Sequence, residues 1–561
     1  MRYRYLLIVL LVLAVVPYVV NLGATSIIDA NEAFYTETPR EMIEQGDWIS
    51  TTFNYEPRLN KPPLSYWVVG AFYEAAGVSL GAARLPIAFG ALVIFATVFL
   101  IGRAAYSTDA GLIAALTLAA TPRMLLFSRR IIIDIYTAMF VGLTLLCFVM
   151  AELEPSRRRR WLSAMYVAVG LGMLTKGPVA AVLPALVFAV YLVAAGRVHT
   201  LRRMMLPAGA LIVALIVLPY YVALYAQQGW ASIQTFVLTE NVARFAEGVG
   251  APNRGPLFYL PVVFADLYFP WSLLLPLALV LVPWRQGRPG RGWRRLISGG
   301  DVTEPAAPAQ IRLLLGLWVV VIVAFFSLSK AQQDLYVLPF VAAGAPMVGG
   351  LVAAAMNGTL ASGRARAARV LFGLACVLLG AVGGLAAWFV GGSGRPVHLA
   401  GAGPAGLMVA AGAVAALAWT ARRQWLPAVA SLAGALLVAH WVLVIWALPD
   451  FERYKPVPQL ARVVQTSAGP DAAVGMYMVP APSLVFYLRR HVTQMFGEEE
   501  LLAFLSHHEE VFLLMTDDDY EAVSRTVPVP LRILARAPRF EARLSDFLTR
   551  SELPSLLLVT K

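Results

Sequence analysis

Of the 561 residues, 59% are hydrophobic and 14% are charged, and the mean hydropathy is +0.69. A soluble domain carries about 25% charged residues, so this composition excludes a soluble globular protein and predicts a chain embedded in a bilayer. The net charge of +12 follows from arginines that mark one side of the membrane, and we reject a role in nucleic-acid binding.

Apolar segments run along most of the chain. About thirteen of them, each of roughly 18 to 24 residues, are long enough to cross a hydrocarbon core of about 30 Å. Arginines cluster on every second connection, as at 157–160 and 197–203, which assigns that side to the cytoplasm. The first segment has no cleavage site and is expected to remain as an anchor. The segments centre near residues 13, 93, 116, 142, 168, 187, 214, 270, 320, 345, 379, 410 and 437.

The first outer connection, residues 23–80, is rich in charged and aromatic residues. Asp29 directly follows the first apolar segment, and Glu32 lies three residues later, so both carboxylates face one side of a helix. The segment from Glu32 to Gln45 has helical spacing and ends at Gly46, which predicts an amphipathic helix on the membrane surface. Asp29 is either a catalytic carboxylate or the cap of this helix.

A stiff cationic segment precedes the second apolar segment. Pro62 and Pro63 restrict the backbone and hold Lys61 extended at the membrane surface. A rigid cation in this position suits a phosphate group, and the alternative is an interfacial anchor whose amine reaches water.

Further charged residues fall on the outer side. Arg129 and Arg130 precede Asp134 where the positive-inside rule disfavours arginine. Asp134 either forms a structural ion pair with Arg130 or helps Asp29 to handle an acceptor. The second outer connection, 226–257, is predicted to form a short helix and a Pro/Gly loop. With the region after residue 325 it supplies further cations and hydroxyls, namely Arg244, Arg254, Ser329, Lys330 and Tyr336.

The character of the chain changes at about residue 449. Short apolar runs alternate with charged helical stretches, which predicts a small soluble α/β domain on the outer side over 449–561. His507 and His508 are read as surface residues. No GxxxxGK(S/T), no GxGxxG after a strand, no HExxH and no metal-spaced Cys/His set occurs in the sequence, so neither a cofactor nor a metal is predicted.

Several motifs in this order resemble the integral-membrane glycosyltransferases of the GT-C class, over nearly the whole chain. The resemblance is strongest to the bacterial aminoarabinose transferase and protein O-mannosyltransferase-like group. The motifs are Asp29-x-x-Glu32, Lys61-Pro62-Pro63-Leu64-x-Tyr66-Trp67, Ala83-Arg84-Leu85-Pro86, Asp134, Lys176-Gly177-Pro178, Pro270-Trp271-Ser272 and Ser329-Lys330 leading to Tyr336-x-Leu338-Pro339.

The resemblance implies a mainly α, polytopic GT-C domain of about thirteen transmembrane helices over 1–448, two outer juxtamembrane loops (23–80 and 226–257) and a periplasmic α/β domain over 449–561. It implies a bacterial inner-membrane, inverting transferase with a periplasmic active site and a polyprenyl-phosphate sugar donor. The first expectation is transfer of 4-amino-4-deoxy-L-arabinose to lipid A phosphate. The alternative is transfer of a hexose or pentose to another glycan or a protein.

The expected catalytic residues are Asp29, Glu32 and Asp134, and the expected donor-phosphate ligands are Lys61, Arg58, Arg254, Lys330 and Tyr336. We expect a monomer among membrane lipids. Related transferases often carry an acidic residue before the lysine and a histidine in the second outer loop. This chain has Asn60 and no histidine there, so no zinc is expected.

Two other classes of function compete with a transferase. A flippase for lipid-linked sugars or another transporter would also line a membrane cavity with cations, but it should show paired repeats and charges near the span centres. A purely structural or adhesive membrane protein would not need carboxylates beside stiff lysines at the bilayer. The position of the charges at outer ends favours the transferase.

Overall fold

The computed structural model describes residues 2–28, 30–248, 250–284, 306–391, 397–540 and 553–561. Within these ranges the chain is mainly helical, as predicted. Eight helices are long and apolar enough to span a membrane, and two bent helix pairs raise this number to ten if each pair is one span. The eight are Leu80–Ala105, Ile133–Leu153, Leu206–Glu247, Pro308–Ser327, Asp334–Met356, Ser362–Phe389, Ala402–Ala421 and Trp425–Tyr454.

The bent pairs are Thr108–Ala119 with Pro122–Ser128, at 66°, and Tyr259–Leu267 with Trp271–Val280, at 120°. Three more helices coincide with predicted segments, namely Arg2–Val19, Arg158–Lys176 and Val179–Ala194. Each predicted centre therefore lies in a helix or, near residue 270, at the break of a bent pair. The segment positions are confirmed, and length and composition support eight to ten spans in the described part of the chain.

The helix of the first outer connection begins at Ala30 and ends at Gln45, before Gly46 with φ +69°. Its location on the membrane surface stays a prediction, but other parts of the protein cover it, since almost every side chain from Glu32 to Met42 is buried. Arg40 compensates for this burial by donating to Glu37 and Glu44 at 2.6 Å each. The helix is therefore an interior element on which the neighbouring parts of the chain pack.

The second outer connection is continuous with a spanning helix. The helix from Leu206 kinks at Gly229 (φ 72°), becomes a π-helix over Thr235–Ala243 and ends at Glu247. A loop with Gly250 and Pro252 follows, and Gln332 donates its backbone N–H to the Pro252 carbonyl at 3.2 Å. The predicted short helix is thus the outer end of a long, irregular one.

The C-terminal unit has a five-stranded sheet. In chain order its strands are β3 Ala473–Tyr477, β4 Thr493–Met495, β5 Val511–Thr516, β6 Arg532–Pro538 and β7 Ser555–Thr560. Their order in the sheet is β4-β3-β5-β7-β6. Neighbours β4-β3 and β3-β5 are parallel, and β5-β7 and β7-β6 are antiparallel. Helices Pro456–Ser467 and Ser483–Leu488 pack on one face, and Glu498–His507 and Asp517–Thr526 pack on the other. Burial on both faces explains the continuous apolar runs of β5 and β7.

This unit docks on the first outer connection. A hairpin of β1 (Thr52–Phe53) and β2 (Glu56–Pro57) turns at Asn54 and Tyr55, both with positive φ. The Asn54 side chain exchanges two 2.9 Å hydrogen bonds with the backbone of Val492. The Tyr487 hydroxyl accepts from the backbone N–H of Ile27 at 2.9 Å. The C-terminal unit therefore lies on the same side as residues 23–80, as the alternation of arginines predicts.

Candidate functional site

A polar cavity of about 480 Å³ lies where the two outer connections meet the outer ends of the spanning helices. Its described lining carries seven Arg and Lys side chains and three carboxylates, so the cavity favours an anionic ligand. The charged residues of the lining are Arg58, Lys61, Arg123, Arg130, Asp134, Lys176, Glu240, Arg244, Arg254 and Asp334.

Lys61 is one of these cations. Its ammonium donates to the Glu240 carboxylate at 2.7 Å, and both side chains are about 15% exposed. Burial lowers the pKa of Lys61 to about 8, although Glu240 opposes the shift, and the charges of Arg244 and Lys176 lower it further. Lys61 is therefore a cation that loses its proton more readily than an ordinary lysine.

A second lysine repeats this pattern. Lys176, the last residue of its helix, forms an ion pair with Asp134 in the first turn of Ile133–Leu153. Its ammonium also lies 4.2 Å from the ring centroid of Tyr336. The predicted alternative, a pair of Asp134 with Arg130, is not what the structure has, since the carboxylate of Asp134 meets Lys176.

An apolar cavity of about 420 Å³ adjoins the polar one. Its walls are mostly aliphatic and aromatic side chains of the spanning helices, such as Val182, Leu183 and Phe326. Five residues line both cavities, namely Lys61, Lys176, Glu240, Arg244 and Tyr336. The lysines thus lie at the boundary between an apolar space and a cationic space.

Arginines line the polar cavity beyond this boundary. The guanidinium of Arg58 lies 3.8 Å from the centroid of the Phe34 ring. Arg254 lies over Phe258 at 4.8 Å, and its backbone N–H donates to Gln332 at 2.9 Å. Arg58 and Arg254 are thus brought to the cavity as predicted, and Tyr336 joins them through a 3.4 Å contact between its hydroxyl and Arg244.

Three charged residues of the lining are not predicted from the sequence, namely Glu240, Asp334 and Arg123. Glu240 lies in a segment that reads as an ordinary helix, and nothing in the sequence indicates its pairing with Lys61, 179 residues away. Arg123 pairs with Asp334 and, at 3.2 Å, with Asp266. Arg123 lies just after Pro122 at an outer helix start, so the reasoning that singled out Arg129 and Arg130 could have found it.

Glu32 and Arg129 lie outside the cavity lining. Glu32 is fully buried and pairs with Arg84 at 2.7 Å. Burial by itself would raise the pKa of Glu32, but the charge and hydrogen bond of Arg84 outweigh it and lower the pKa. Arg129 donates to the backbone carbonyls of Pro17, Val20 and Asn21. Both residues stabilise the fold around the site.

Lys330, another predicted site residue, lines neither cavity. The side chain of Lys330 is exposed and absent from the lining of both cavities, while its backbone N–H donates to Phe245 at 2.9 Å. Asp29 lies outside the described residues. Among the residues that are described, no cluster of three or more His, Cys, Asp or Glu is arranged to hold a metal ion.

Comparison with known proteins relates this geometry to a family. Residues 60–222 match the family Dolichyl-phosphate-mannose-protein mannosyltransferase. Undecaprenyl phosphate-alpha-4-amino-4-deoxy-L-arabinose arabinosyl transferase 1 of Pseudomonas fluorescens is 27% identical over 322 residues, 55% of this chain and 51% of that protein. Transferase 2 of Sodalis glossinidius is 30% identical over 371 residues, 64% of this chain and 62% of that protein. The chain therefore matches less than two thirds of the length of these relatives.

Solved structures extend the likeness to the whole chain. ArnT from Cupriavidus metallidurans, bound to undecaprenyl phosphate, superposes with a TM-score of 0.75 at 21% identity, covering 99% of this chain and 97% of that one. The oligosaccharyltransferase AglB from Archaeoglobus fulgidus superposes with a TM-score of 0.51 at 12% identity, covering 94% and 70%. This chain is thus a multi-pass membrane protein with the GT-C fold, related in sequence to the aminoarabinose transferases and the mannosyltransferase family that its motifs resemble.

Proposed function

We propose that the protein is an inverting glycosyltransferase that moves a sugar from a polyprenyl-phosphate donor to an acceptor at the outer face of a bacterial inner membrane. The observation that carries this proposal is the set of cations at the boundary of the two cavities. Lys61, Lys176 and Arg244 lie where an apolar space of about 420 Å³ opens into a cationic one. A lipid phosphate has this pattern of an apolar chain ending in an anion.

The donor is accommodated in three parts. The first isoprene units fill the apolar cavity, the phosphate contacts the cations of Lys61 and Arg244, and the sugar extends into the polar cavity of about 480 Å³. Charge-assisted hydrogen bonds to phosphate are roughly twice as strong as neutral ones, so the headgroup fixes the donor. A flippase would need a path through the membrane, whereas these cations lie at the outer ends of the helices.

The reaction is a single displacement. An acceptor oxygen attacks the anomeric carbon, the bond from that carbon to the phosphate oxygen breaks, and polyprenyl phosphate leaves with the electron pair. Lys61 and Arg244 stabilise the negative charge that develops on the leaving phosphate. Attack opposite the leaving group inverts the anomeric carbon. Asp29 acts as general base for a hydroxyl acceptor, or orients a phosphate acceptor.

The acceptor class is inferred from the arginines. Arg58, Arg123 and Arg254 line the polar cavity away from the lysines, and they would bind an anionic acceptor such as the phosphate of lipid A. The names of the relatives favour 4-amino-4-deoxy-L-arabinose as the sugar. A neutral glycan or a protein hydroxyl is the second candidate, in which case these arginines would contact the donor.

Transfer in reconstituted vesicles tests the proposal. The purified protein is incubated with a radiolabelled polyprenyl-phosphate sugar and either lipid A or a protein fraction, and the labelled product is identified by mass spectrometry. We expect label on lipid A phosphate. Transfer from a nucleotide sugar, with no polyprenyl phosphate present, would exclude the proposed donor.

A carboxylate substitution tests the role of Asp29. We expect Asp29→Asn to reduce transfer by about 100-fold or more, because general base catalysis contributes about 10²- to 10⁴-fold. Binding of polyprenyl phosphate should remain unchanged, which separates a chemical role from a structural one. Asp109→Asn, on the arginine-rich side, serves as the control. Full transfer by Asp29→Asn would refute the role.

The titration of Lys61 predicts a pH dependence. Its pKa is lowered to about 8, so the lysine is charged at pH 7 and loses its proton as the pH rises through about 8. Between pH 7 and pH 9 we expect kcat/KM for the donor to fall about tenfold, in proportion to the protonated fraction. In Lys61→Arg the fall should disappear, because a guanidinium stays charged throughout this range. An unchanged profile in the variant would contradict the assignment.

A further inference from the structure

The cations of the proposed phosphate site already hold an internal anion. One carboxylate oxygen of Glu240 lies 2.7 Å from the ammonium of Lys61 and 3.5 Å from a guanidinium nitrogen of Arg244. A single oxygen therefore bridges the two cations. This is the arrangement that a phosphate oxygen of the donor would adopt between them.

The position of Glu240 makes the two anions mutually exclusive. Its side chain lines both the apolar and the polar cavity, as Lys61 and Arg244 do. A phosphate that contacts both cations must take the place of this carboxylate, because two anions so close together repel each other. Glu240 has to leave when the donor enters.

The segment that carries Glu240 is suited to such a movement. Thr235–Ala243 is a π-helix, a rare form that occurs often at functional sites. It follows the kink at Gly229, and much of its surface is exposed, as at Val242. A change of rotamer or of one turn of this segment moves the carboxylate and leaves the part of the helix before Gly229 in place.

We infer that Glu240 is an exchangeable counter-ion, which holds Lys61 and Arg244 in the empty site, yields to the donor phosphate, and returns to displace the polyprenyl phosphate product. This inference rests on the proposed function. A competing internal anion lowers the affinity for donor and product alike and therefore speeds product release. Glu240 is a positioning residue and takes no part in bond breaking.

Glu240→Gln tests the exchange, because glutamine keeps the size of the side chain and removes its charge. Binding of polyprenyl phosphate to protein in nanodiscs is measured at pH 6.5, below the pKa of about 8 for Lys61, because loss of the Glu240 charge lowers this pKa further. We expect the Kd for polyprenyl phosphate to be about 3- to 10-fold lower in the variant, because the internal competitor has been removed. Glu247→Gln, an exposed residue of the same helix outside both cavities, should bind as the wild type does.

Kinetics separate release from chemistry. In Glu240→Gln, a single turnover should proceed at the wild-type rate, whereas the steady-state rate should fall several-fold and inhibition by polyprenyl phosphate should strengthen. Glu240→Asp keeps the charge on a shorter side chain. Its steady-state rate and its inhibition by polyprenyl phosphate should lie between those of Glu240→Gln and the wild type. Equal or weaker binding by folded Glu240→Gln would overturn the inference. Failure of the wild type to bind polyprenyl phosphate would instead refute the proposed function.

Discussion

Lys61→Ala should reduce kcat/KM for a polyprenyl-phosphate donor by about 100-fold or more, which corresponds to at least about 2.7 kcal/mol. Lys61 is held mostly buried at the boundary of the two cavities, next to Pro62 and Pro63. Water cannot replace the lost ammonium as a partner for the phosphate. The Glu240 carboxylate, left with Arg244 as its cation, would then repel the incoming donor more strongly.

Steady-state transfer and direct binding of polyprenyl phosphate measure this effect. Lys330→Ala is the matched control, since Lys330 is a lysine in another predicted phosphate-binding motif but its side chain is exposed outside both cavities. We expect less than a twofold change in this variant. If Lys330→Ala impaired donor binding as strongly as Lys61→Ala, the donor phosphate would have to lie elsewhere.

Arg84→Met should destabilise the protein by about 3 to 5 kcal/mol, the usual cost of breaking a buried ion pair by removing one member. Arg84 is fully buried and pairs with Glu32 at 2.7 Å. It also donates to the backbone carbonyls of Leu22, Thr25 and Ser26 at 2.7 to 2.9 Å. These bonds fix the stretch of chain that leads to position 29, so activity should fall together with stability.

Thermal unfolding in detergent tests this prediction. Arg103 is an exposed residue of the same helix, so Arg103→Met is the matched control. It should change the midpoint of thermal unfolding only slightly. Arg84→Met should also raise the pKa of Glu32, because burial then acts without the opposing charge and hydrogen bond of Arg84. A midpoint in Arg84→Met equal to that of Arg103→Met would show that the buried pair contributes nothing.

The sequence predicts the position of Lys61 better than it predicts which carboxylates pair with the lysines of the cavity. Lys61 is recognisable because two prolines and the outer end of a segment are local features. Its partner Glu240 is a long-range contact, and so is the pairing of Asp134 with Lys176. The spacing of Glu32 from Asp29 predicts that the two carboxylates share one face of a helix. In the structure, the carboxylate of Glu32 pairs with Arg84, a contact that only tertiary packing determines.

By itself, the sequence determines that the chain crosses a membrane many times, which side carries the arginines, and where a sheet-containing unit follows the last span. These properties depend on hydropathy, charge and short-range periodicity, which act within a few turns of chain. Only the tertiary structure decides that the helix Ala30–Gln45 is buried, that Lys330 faces solvent, and that Lys61 meets Glu240 between two cavities. Each of these outcomes depends on which distant segments pack together, because burial and ion pairing are properties of the assembled fold.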